Sequence, residues 1–355
     1  MSVPHASGYF RTSYARDLVL LDTRAQRVAC AVFLLLALAL PVLDAPFLLD
    51  LANQVLLAVI GSVALMLVNG VAGQISLGHA GLLAAGAFTT GILYREAHAP
   101  FWVTLPAAAL VGALIGLIFG LPSLRLRGLY LAVSTLALHF VVIYLGNEYE
   151  ARRGYSTGVV IDPPALGGVT LISARAWFYV LFVFAAASLL LGLNLLRART
   201  GRAWRAIQGR EAVAEALGIN VAAFKVLAFT VSSTMTAVAG ALFSYYRGFV
   251  SAEAFSLFLT IQYVAMVIIG GMGSMLGAVL GAVFVTLFPY AIEWLMAVLP
   301  MPEAWTTSVF AVNYAAFGLV MILFLLYEPQ GLVGIWRRVQ DYFLLWPFRQ
   351  RTRAR

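Results

Sequence analysis

The sequence predicts an all-α polytopic membrane protein with about ten transmembrane helices. Of its 355 residues, 62% are hydrophobic and only 11% are charged, whereas soluble domains carry about 25% charged residues. So few polar side chains could not cover the surface of a soluble globule. The single cysteine, Cys30, lies in an apolar run, which excludes an internal disulfide bond and a cysteine metal cluster.

Ten apolar segments account for the predicted helices. They cover 28–43, 52–70, 77–94, 101–121, 128–146, 176–196, 224–246, 258–270, 275–297 and 306–327. A helix that crosses a membrane needs roughly 17–25 residues, so 258–270 is short for a full crossing on its own. The polar stretch before the first segment is too long for the charged start of a signal peptide, which favours an uncleaved first helix.

The distribution of basic residues predicts the orientation of these helices. With both termini in the cytoplasm, 18 of the 23 Lys and Arg residues lie on the cytoplasmic side, as the positive-inside rule requires. The acidic residues divide the other way, with 6 inside and 9 outside. The basic residues lack the aromatic spacing of a nucleic-acid interface, so no nucleic-acid partner is expected.

A glycine-rich stretch, Asn69–Gly81, interrupts the second and third apolar segments and is called the first break below. It places Asn69, Gln74, Ser76 and His79 near membrane depth. Irregular backbone there is tolerated only where it is buried in protein or lines a cavity. The stretch is therefore either a broken helix beside a translocation path or a tight cytoplasmic turn whose glycines allow close helix packing.

A second glycine-rich stretch, Gly270–Gly281, is called the second break. Paired interruptions of this kind often flank the substrate route of a transporter and hint at an internal repeat. Gly277 and Gly281 also form a small-xxx-small pair, which is more typical of close helix packing.

Ionisable residues are scarce in the centres of the apolar segments. His139 is an exception, and as a lone histidine it is expected to be structural rather than a proton relay. Acids such as Glu148 and Glu293 stand near the outer ends of their segments. A proton- or sodium-coupled carrier usually needs an ionisable group at the midplane, so the pattern disfavours secondary transport.

Residues 197–223 form a charged segment between two apolar ones and are called the arm below. Apolar residues at helical spacing predict one amphipathic helix from about Arg202 to Leu217, and they are Trp204, Ile207, Ala214 and Leu217. Gly218 can end this helix and Asn220 can cap the next one. The arm is either an interfacial helix on anionic lipid or a docking helix for a cytoplasmic partner.

The chain has no nucleotide-binding loop of the Walker type. Such a loop ends in Gly-Lys-Ser/Thr, and the one lysine, Lys225, lies between Phe224 and Val226. If ATP drives this protein, a separate subunit must bind it.

Five motifs in this order resemble the permease subunits of branched-chain amino acid ABC importers of the LivM type. They are GQISLGHAG (73–81), GLPSLRLRGLYLAVSTLAL (120–138), GRAWRAIQGREAVAEALGIN (201–220), IGGMGSMLGAVLGA (269–282) and EPQGLVGI (328–335). The outer loop departs from the family pattern, because it reads Ser-Thr-Gly-Val-Val-Ile at 156–161 where a Thr-Gly-Gly-x-x-Gly stretch is usual.

The resemblance implies a ten-helix fold similar to the type II, cobalamin-importer-like permeases. It implies three kinds of partner besides membrane lipid: a second, LivH-like permease, two ABC ATPase subunits and a periplasmic substrate-binding protein. This chain would bind no cofactor, since ATP and Mg would be held by the ATPases. The protein would be a bacterial inner-membrane transporter subunit rather than an enzyme.

The same resemblance, with the residue patterns above, divides the chain and assigns its residues. The expected parts are a cytoplasmic segment 1–27, a transmembrane permease domain 28–327 with a periplasmic loop 147–175 and the arm as coupling segment, and a basic cytoplasmic tail 328–355. The candidate coupling residues are Arg202, Arg205, Arg210, Glu211, Glu215 and Gly218. The candidate path residues are Asn69, Gln74, Ser76, Gly78, His79, Tyr130, Ser134, Gly271, Gly273 and Ser274.

The leading hypothesis is inward transport of branched-chain or similar hydrophobic amino acids. The substrate alternative is urea or a short amide, since related permeases differ mainly in their partners. The alternatives of another class are a self-sufficient secondary carrier or channel, and a structural scaffold, which the glycine-broken segments disfavour.

Overall fold

The computed structural model describes residues 45–126, 128–155, 158–166, 169–298 and 309–345, with residues 27, 28, 32, 35 and 37–43 before them. Most of the predicted segment 1–27 and much of the predicted first helix 28–43 lie outside the described residues. The last part of the predicted tail, 346–355, lies outside them as well.

The described residues are largely helical. The α-helices with complete bounds are α1 Pro46–Leu65, α2 His79–Ala97, α3 Phe101–Gly120, α4 Leu129–Arg153, α5 Ala174–Arg197, α6 Arg199–Gly209, α7 Glu211–Ala216, α8 Val221–Arg247, α9 Leu257–Gly270, α10 Met275–Val298, α11 Val309–Tyr327 and α12 Gly331–Leu345. A helix coincides with each predicted apolar segment from 52–70 onward. The all-α polytopic class is thereby confirmed.

Length and apolar composition qualify six stretches of the described residues as membrane spans. They are Pro46–Val71, Phe101–Leu124, Leu129–Arg153, Ala174–Arg197, Val221–Arg247 and Met275–Val298. A seventh arises if α11 and α12, which are bent by 52° at their junction, count as one span. The 14-residue α9 is shorter, as expected. The total of ten crossings stays a prediction.

Helices α1 and α8 form the centre of the bundle. In their most apolar stretches 72% and 61% of the residues are buried, against 28–39% in the other candidate spans. Helix α8 packs against α1, α2 and α3. The backbones of α2 and α8 meet directly, because a methyl carbon at Gly86 would overlap the carbonyl group of Ala237, and one at Gly240 would overlap that of Leu83. Small residues at a helix interface permit this approach in a membrane.

Four two-residue strands are the exception to the helical class. Val159–Val160 (β1) pairs antiparallel with Phe249–Val250 (β4), and Ala165–Leu166 (β2) pairs with Val169–Thr170 (β3). They lie at one end of the bundle, called the loop end below. The predicted outer loop 147–175 is shorter than expected, since α4 continues to Arg153.

The opposite end of the bundle carries the arm and is called the arm end. The arm is two helices, α6 and α7, rather than the single helix that the sequence predicts. The helices separate at Arg210, whose φ of −157° and ψ of 113° are extended rather than helical. Ala214 of α7 is buried, whereas Leu217, predicted on the same apolar face, is 74% exposed. The prediction that Leu217 lies on this apolar face is wrong. The extended backbone at Arg210 separates α6 from α7, so residues on either side of it no longer follow one helical spacing.

Candidate functional site

The first break lies where α1 gives way to α2 at the arm end. Helix α1 continues as a π-helical turn, Met66–Val71, and the chain then turns at Gly73, whose φ of +67° favours glycine. Residues 73–78 have no regular structure, and α2 begins at His79. The irregular backbone that the sequence predicts between these two helices is therefore present.

Hydrogen bonds from three parts of the protein hold the backbone of the first break. The amide of Ser76 donates to Oδ1 of Asn69 (3.0 Å). The amide of Leu77 donates to Oγ1 of Thr135 in α4 (2.9 Å), and the amide of Ala80 donates to Oγ1 of Thr260 in α9 (3.0 Å). Backbone groups that leave a helix inside a membrane need such partners, so these side chains fix the shape of the break.

Three of the predicted path side chains are buried beneath this backbone. Gln74, Ser76 and His79 have 4%, 3% and 0% of their surface exposed. The ring of His79 packs against Tyr263 of α9, with 4.6 Å between ring centroids. The side-chain amide of Gln74 has no hydrogen-bond partner among the described residues. Because a buried unpaired polar group costs about 1–3 kcal/mol, Gln74 stays a candidate for contact with a ligand.

The glycines of the first break permit close packing against neighbouring backbone. A methyl carbon at Gly78 would lie 2.5 Å from the carbonyl oxygen of Thr135, and one at Gly81 would lie 2.6 Å from Cα of His139. His139 itself is buried, with 2% of its surface exposed. The glycines of the first break therefore allow close helix packing, as one of the two alternatives predicted. That the break lies beside a translocation path stays a prediction.

The second break touches the first one. A methyl carbon at Gly70 would lie 2.5 Å from the amide nitrogen of Gly273. Gly271 and Gly273 have φ angles of +116° and +77°, which favour glycine, and Ser274 is buried beside them. The structure thus brings together two candidate path segments that stand about 200 residues apart in the chain.

Helix packing also explains the other glycines of the second break. A methyl carbon at Gly281 would overlap the carbonyl group of Met266, and one at Gly277 would lie 2.6 Å from the carbonyl oxygen of Gly271. The small-xxx-small pair therefore seats α10 directly on α9, as predicted.

The turn between α11 and α12 closes over the second break. A methyl carbon at Gly331 would lie 2.5 Å from the carbonyl oxygen of Ile269. Glu328, at the start of this turn, is 9% exposed and forms an ion pair with Arg338 of α12. The EPQG motif thus forms the bend between α11 and α12 that packs against the second break. The sequence did not predict this role.

The arm is anchored to α8 by one aromatic and one charged contact. Trp204 of α6 is fully buried, and its ring nitrogen donates to the carbonyl oxygen of Phe224 (2.8 Å). Nζ of Lys225 lies 2.5 Å from a carboxylate oxygen of Glu211 in α7. The Lys225 side chain is only 5% exposed and that of Glu211 is 26% exposed. This ion pair ties the second arm helix to the bundle.

One residue of the arm contacts the first break directly. Nε2 of Gln208 donates to the carbonyl oxygen of Gly70 (3.0 Å). A methyl carbon at Gly73 would lie 2.9 Å from Cγ of the same glutamine. The arm therefore contacts the first break, and the first break contacts the second.

The predicted coupling residues divide into an exposed and an anchoring group. Arg202, Arg205, Arg210 and Glu215 are exposed, whereas Glu211 is partly buried in the ion pair. Gly218 has a φ of +80°, between α7 and α8.

Two predicted path residues lie apart from the breaks. Tyr130 is 76% exposed on α4 and Ser134 is partly buried. Thr135, one residue further along, makes the contact with the first break. The sequence did not predict four contacts of the breaks and the arm, those of Thr135, Gln208, Lys225 and Thr260. Of these four residues, only Lys225 stands out in the sequence, because it is the one lysine of the chain.

We expect Gln208→Ala to loosen the contact between the arm and the first break. The substitution removes the hydrogen bond to Gly70, worth about 0.5–1.5 kcal/mol, while leaving Trp204 in place. Amide hydrogen exchange in residues 70–78 of the purified chain should become several-fold faster. Arg199→Gln changes an exposed residue of the same helix and should leave this exchange unchanged. Unaltered exchange in Gln208→Ala would show that this hydrogen bond does not hold the first break.

The helical bundle, its two touching breaks and the arm fixed to them define the membrane-spanning subunit of a transporter. The family model described as "Branched-chain amino acid transport system / permease component" matches residues 47–326. The chain belongs to this family of permease subunits.

Curated relatives agree with the family. The chain is 31% identical over 340 residues to the high-affinity branched-chain amino acid transport system permease protein LivM of Salmonella typhimurium and 32% identical to that of Escherichia coli K12. Each alignment covers 89% of this chain and 77% of the relative. A probable LivH permease of Methanocaldococcus jannaschii is 26% identical over 67% of this chain and 76% of its own length. No solved structure matches the chain significantly.

Proposed function

We propose that this permease subunit moves branched-chain or similar hydrophobic amino acids into the cell as part of an ATP-driven ABC importer. The proposal rests on the family and on one structural observation, the contact of Gln208 in the arm with Gly70 in the first break. A force applied to the arm reaches the break through this contact.

The mechanism follows from the series of contacts. Closure of two ATPase subunits on ATP and Mg would displace the arm, whose exposed surface includes Val213 (52%) and Leu217 (74%). Arg205 and Arg210 of the arm are exposed as well. Gln208 would carry the displacement to the first break, and the contact of Gly70 with Gly273 would carry it to the second.

The remaining partners and the topology belong to the same proposal. A second, LivH-like permease would complete the pathway, and a periplasmic binding protein would select and deliver the amino acid. The chain would cross the bacterial inner membrane ten times with both termini in the cytoplasm, in a type II permease fold. The arm would then lie in the cytoplasm, where the ATPases are. Basic residues on the arm would also favour anionic lipid nearby.

Affinity purification of the tagged chain in mild detergent, followed by reconstitution with the co-purifying subunits, tests this proposal. We expect a second permease and P-loop ATPases to co-purify, and we expect leucine uptake that requires ATP and the binding protein. Uptake of urea or acetamide instead of leucine would change the substrate class. Uptake by this chain alone would replace the importer with a secondary carrier or channel.

We expect Gly218→Val to lower coupling and Gly218→Asn to preserve it. A methyl carbon at Gly218 would meet no atom of the described residues within 4 Å, and its φ of +80° is what limits substitution there. A left-handed conformation costs roughly 1–2 kcal/mol for an ordinary residue and less for asparagine. The ratio of uptake to ATP hydrolysis measures the effect. Equal ratios in the two variants would show that the turn between α7 and α8 does not transmit the displacement.

A further inference from the structure

A cavity of about 400 Å³ lies between α1, α8, α9 and α10 in the half of the bundle nearer the loop end. Its size is within the roughly 300–1,000 Å³ range of small-molecule pockets. It is separate from the breaks, which lie at the arm end. The wall is largely apolar on one side, where Leu57, Met266 and Val285 are buried.

Two opposite charges also line this cavity. Arg247 is in the last turn of α8 and Glu293 is in the last third of α10. Both side chains are exposed, and neither has an ion-pair partner within 4 Å in the described part of the chain. Thr286 lines the same cavity, and its Oγ1 is buried with no hydrogen-bond partner among the described residues.

This combination matches the chemistry of an apolar amino acid. Such a molecule carries an α-carboxylate, an α-ammonium and a hydrocarbon side chain at neutral pH. A guanidinium binds a carboxylate through charge-assisted hydrogen bonds, and a carboxylate binds an ammonium in the same way. An inorganic anion or a simple cation would use only one of the two charges, and a hydrocarbon would use neither.

We propose that the cavity is an amino acid-binding site within the permease, occupied after the binding protein releases its cargo. Arg247 binds the α-carboxylate, Glu293 binds the α-ammonium, and the apolar wall receives the side chain. The inference rests on the proposed function and adds to it a weak site of selection inside the membrane subunit.

Tyr263 connects this site to the first break. Its ring lines the cavity and also packs on His79, with 4.6 Å between the ring centroids. A methyl carbon at Gly61 would lie 2.5 Å from Cε1 of the same tyrosine, so α1 encloses the ring from the other side. A ligand in the cavity would therefore contact the residue that packs against the start of α2.

The test measures leucine binding to the assembled membrane complex in nanodiscs with no binding protein added. We expect one leucine per copy of this chain by isothermal titration calorimetry. Arg247→Gln should weaken leucine binding about ten-fold or more and leave leucinamide, which has no carboxylate, unaffected. Glu293→Gln should weaken leucine binding similarly and leave 4-methylpentanoate, which has no ammonium, unaffected.

Arg152→Gln is the matched control. Arg152 lies at the same end of the bundle in a surface ion pair with Glu148 (2.6 Å), outside the cavity. Its substitution should leave leucine affinity unchanged. If an uptake-competent wild-type complex binds no leucine without the binding protein, the inference is overturned while the proposed function stands.

Other outcomes also decide the question. If Arg247→Gln lowers uptake but not leucine affinity, Arg247 contacts the binding protein and the cavity is not the site. If native mass spectrometry finds a phospholipid that leucine does not displace, the cavity holds lipid and the inference fails. A wild-type complex that takes up no amino acid even with the binding protein present would refute the proposed function, and the inference with it.

Discussion

Lys225→Met is expected to release α7 from the bundle and to uncouple ATP hydrolysis from uptake. Nζ of Lys225 lies 2.5 Å from the Glu211 carboxylate, and the lysine side chain is only 5% exposed. Removing one member of a buried ion pair costs about 3–5 kcal/mol, because the other charge loses that partner. We expect a value near the low end, since 26% of the Glu211 side chain is exposed.

Hydrogen exchange and transport measure the two parts of this prediction. Amide exchange in α7 should become faster in Lys225→Met, while exchange in α8 beyond the first turn should not change. ATP hydrolysis should persist, and uptake should fall at least ten-fold. Arg199→Gln is the control, because Arg199 is an exposed charge of the arm outside the ion pair.

A double substitution distinguishes the loss of an anchor from the loss of a charge. Lys225→Met combined with Glu211→Leu replaces the ion pair with apolar contact, which often restores stability. If the double variant recovers both slow exchange and uptake, the pair serves as an anchor for the arm. Wild-type coupling in Lys225→Met itself would mean that α7 plays no part in transmission.

Gly78→Leu is expected to abolish uptake by displacing the first break from α4. A methyl carbon at Gly78 would already lie 2.5 Å from the carbonyl oxygen of Thr135, which is backbone and cannot rotate away. Overpacking a close-packed interior typically costs 1–3 kcal/mol and occasionally more. The displacement would also break the hydrogen bond from the amide of Leu77 to Oγ1 of Thr135.

Uptake in proteoliposomes and the thermal unfolding midpoint in detergent measure this effect together. Gly78→Ala should show a smaller loss of both than Gly78→Leu. Gly318→Leu is the matched control, because Gly318 lies in α11 and a methyl carbon there would meet no atom of the described residues within 4 Å. Normal uptake by Gly78→Leu would refute the placement of Gly78 at a close contact.

The sequence predicted the two breaks as candidate sites, but it did not predict which side chains fix their backbone. Glycine and polar residues within an apolar segment identify irregular backbone from local composition alone. The side chains that bond to this backbone, Thr135, Gln208 and Thr260, are 58 to 180 residues away from their partners in the chain. Contacts over such separations depend on how the helices pack, which no local pattern specifies.

The arm also shows that a local sequence pattern does not determine how a segment packs. Helical spacing predicted a single helix to Leu217, but α7 starts anew after Arg210. Ala214 is buried and Glu211 is paired with Lys225 of α8. These contacts with the bundle set the direction of α7. They therefore outweigh the helical spacing, which predicted one continuous helix.

By itself, the sequence determined the class of this protein, because membrane hydrocarbon demands long apolar helices, and the order of its motifs indicated its family. It also located the arm, since a charged segment cannot cross the bilayer. Only the tertiary structure decided that the arm, the first break and the second break touch in series. It alone placed Arg247 and Glu293 around one cavity. These arrangements join distant parts of the chain, and they arise from packing between helices rather than from the residues of any one helix.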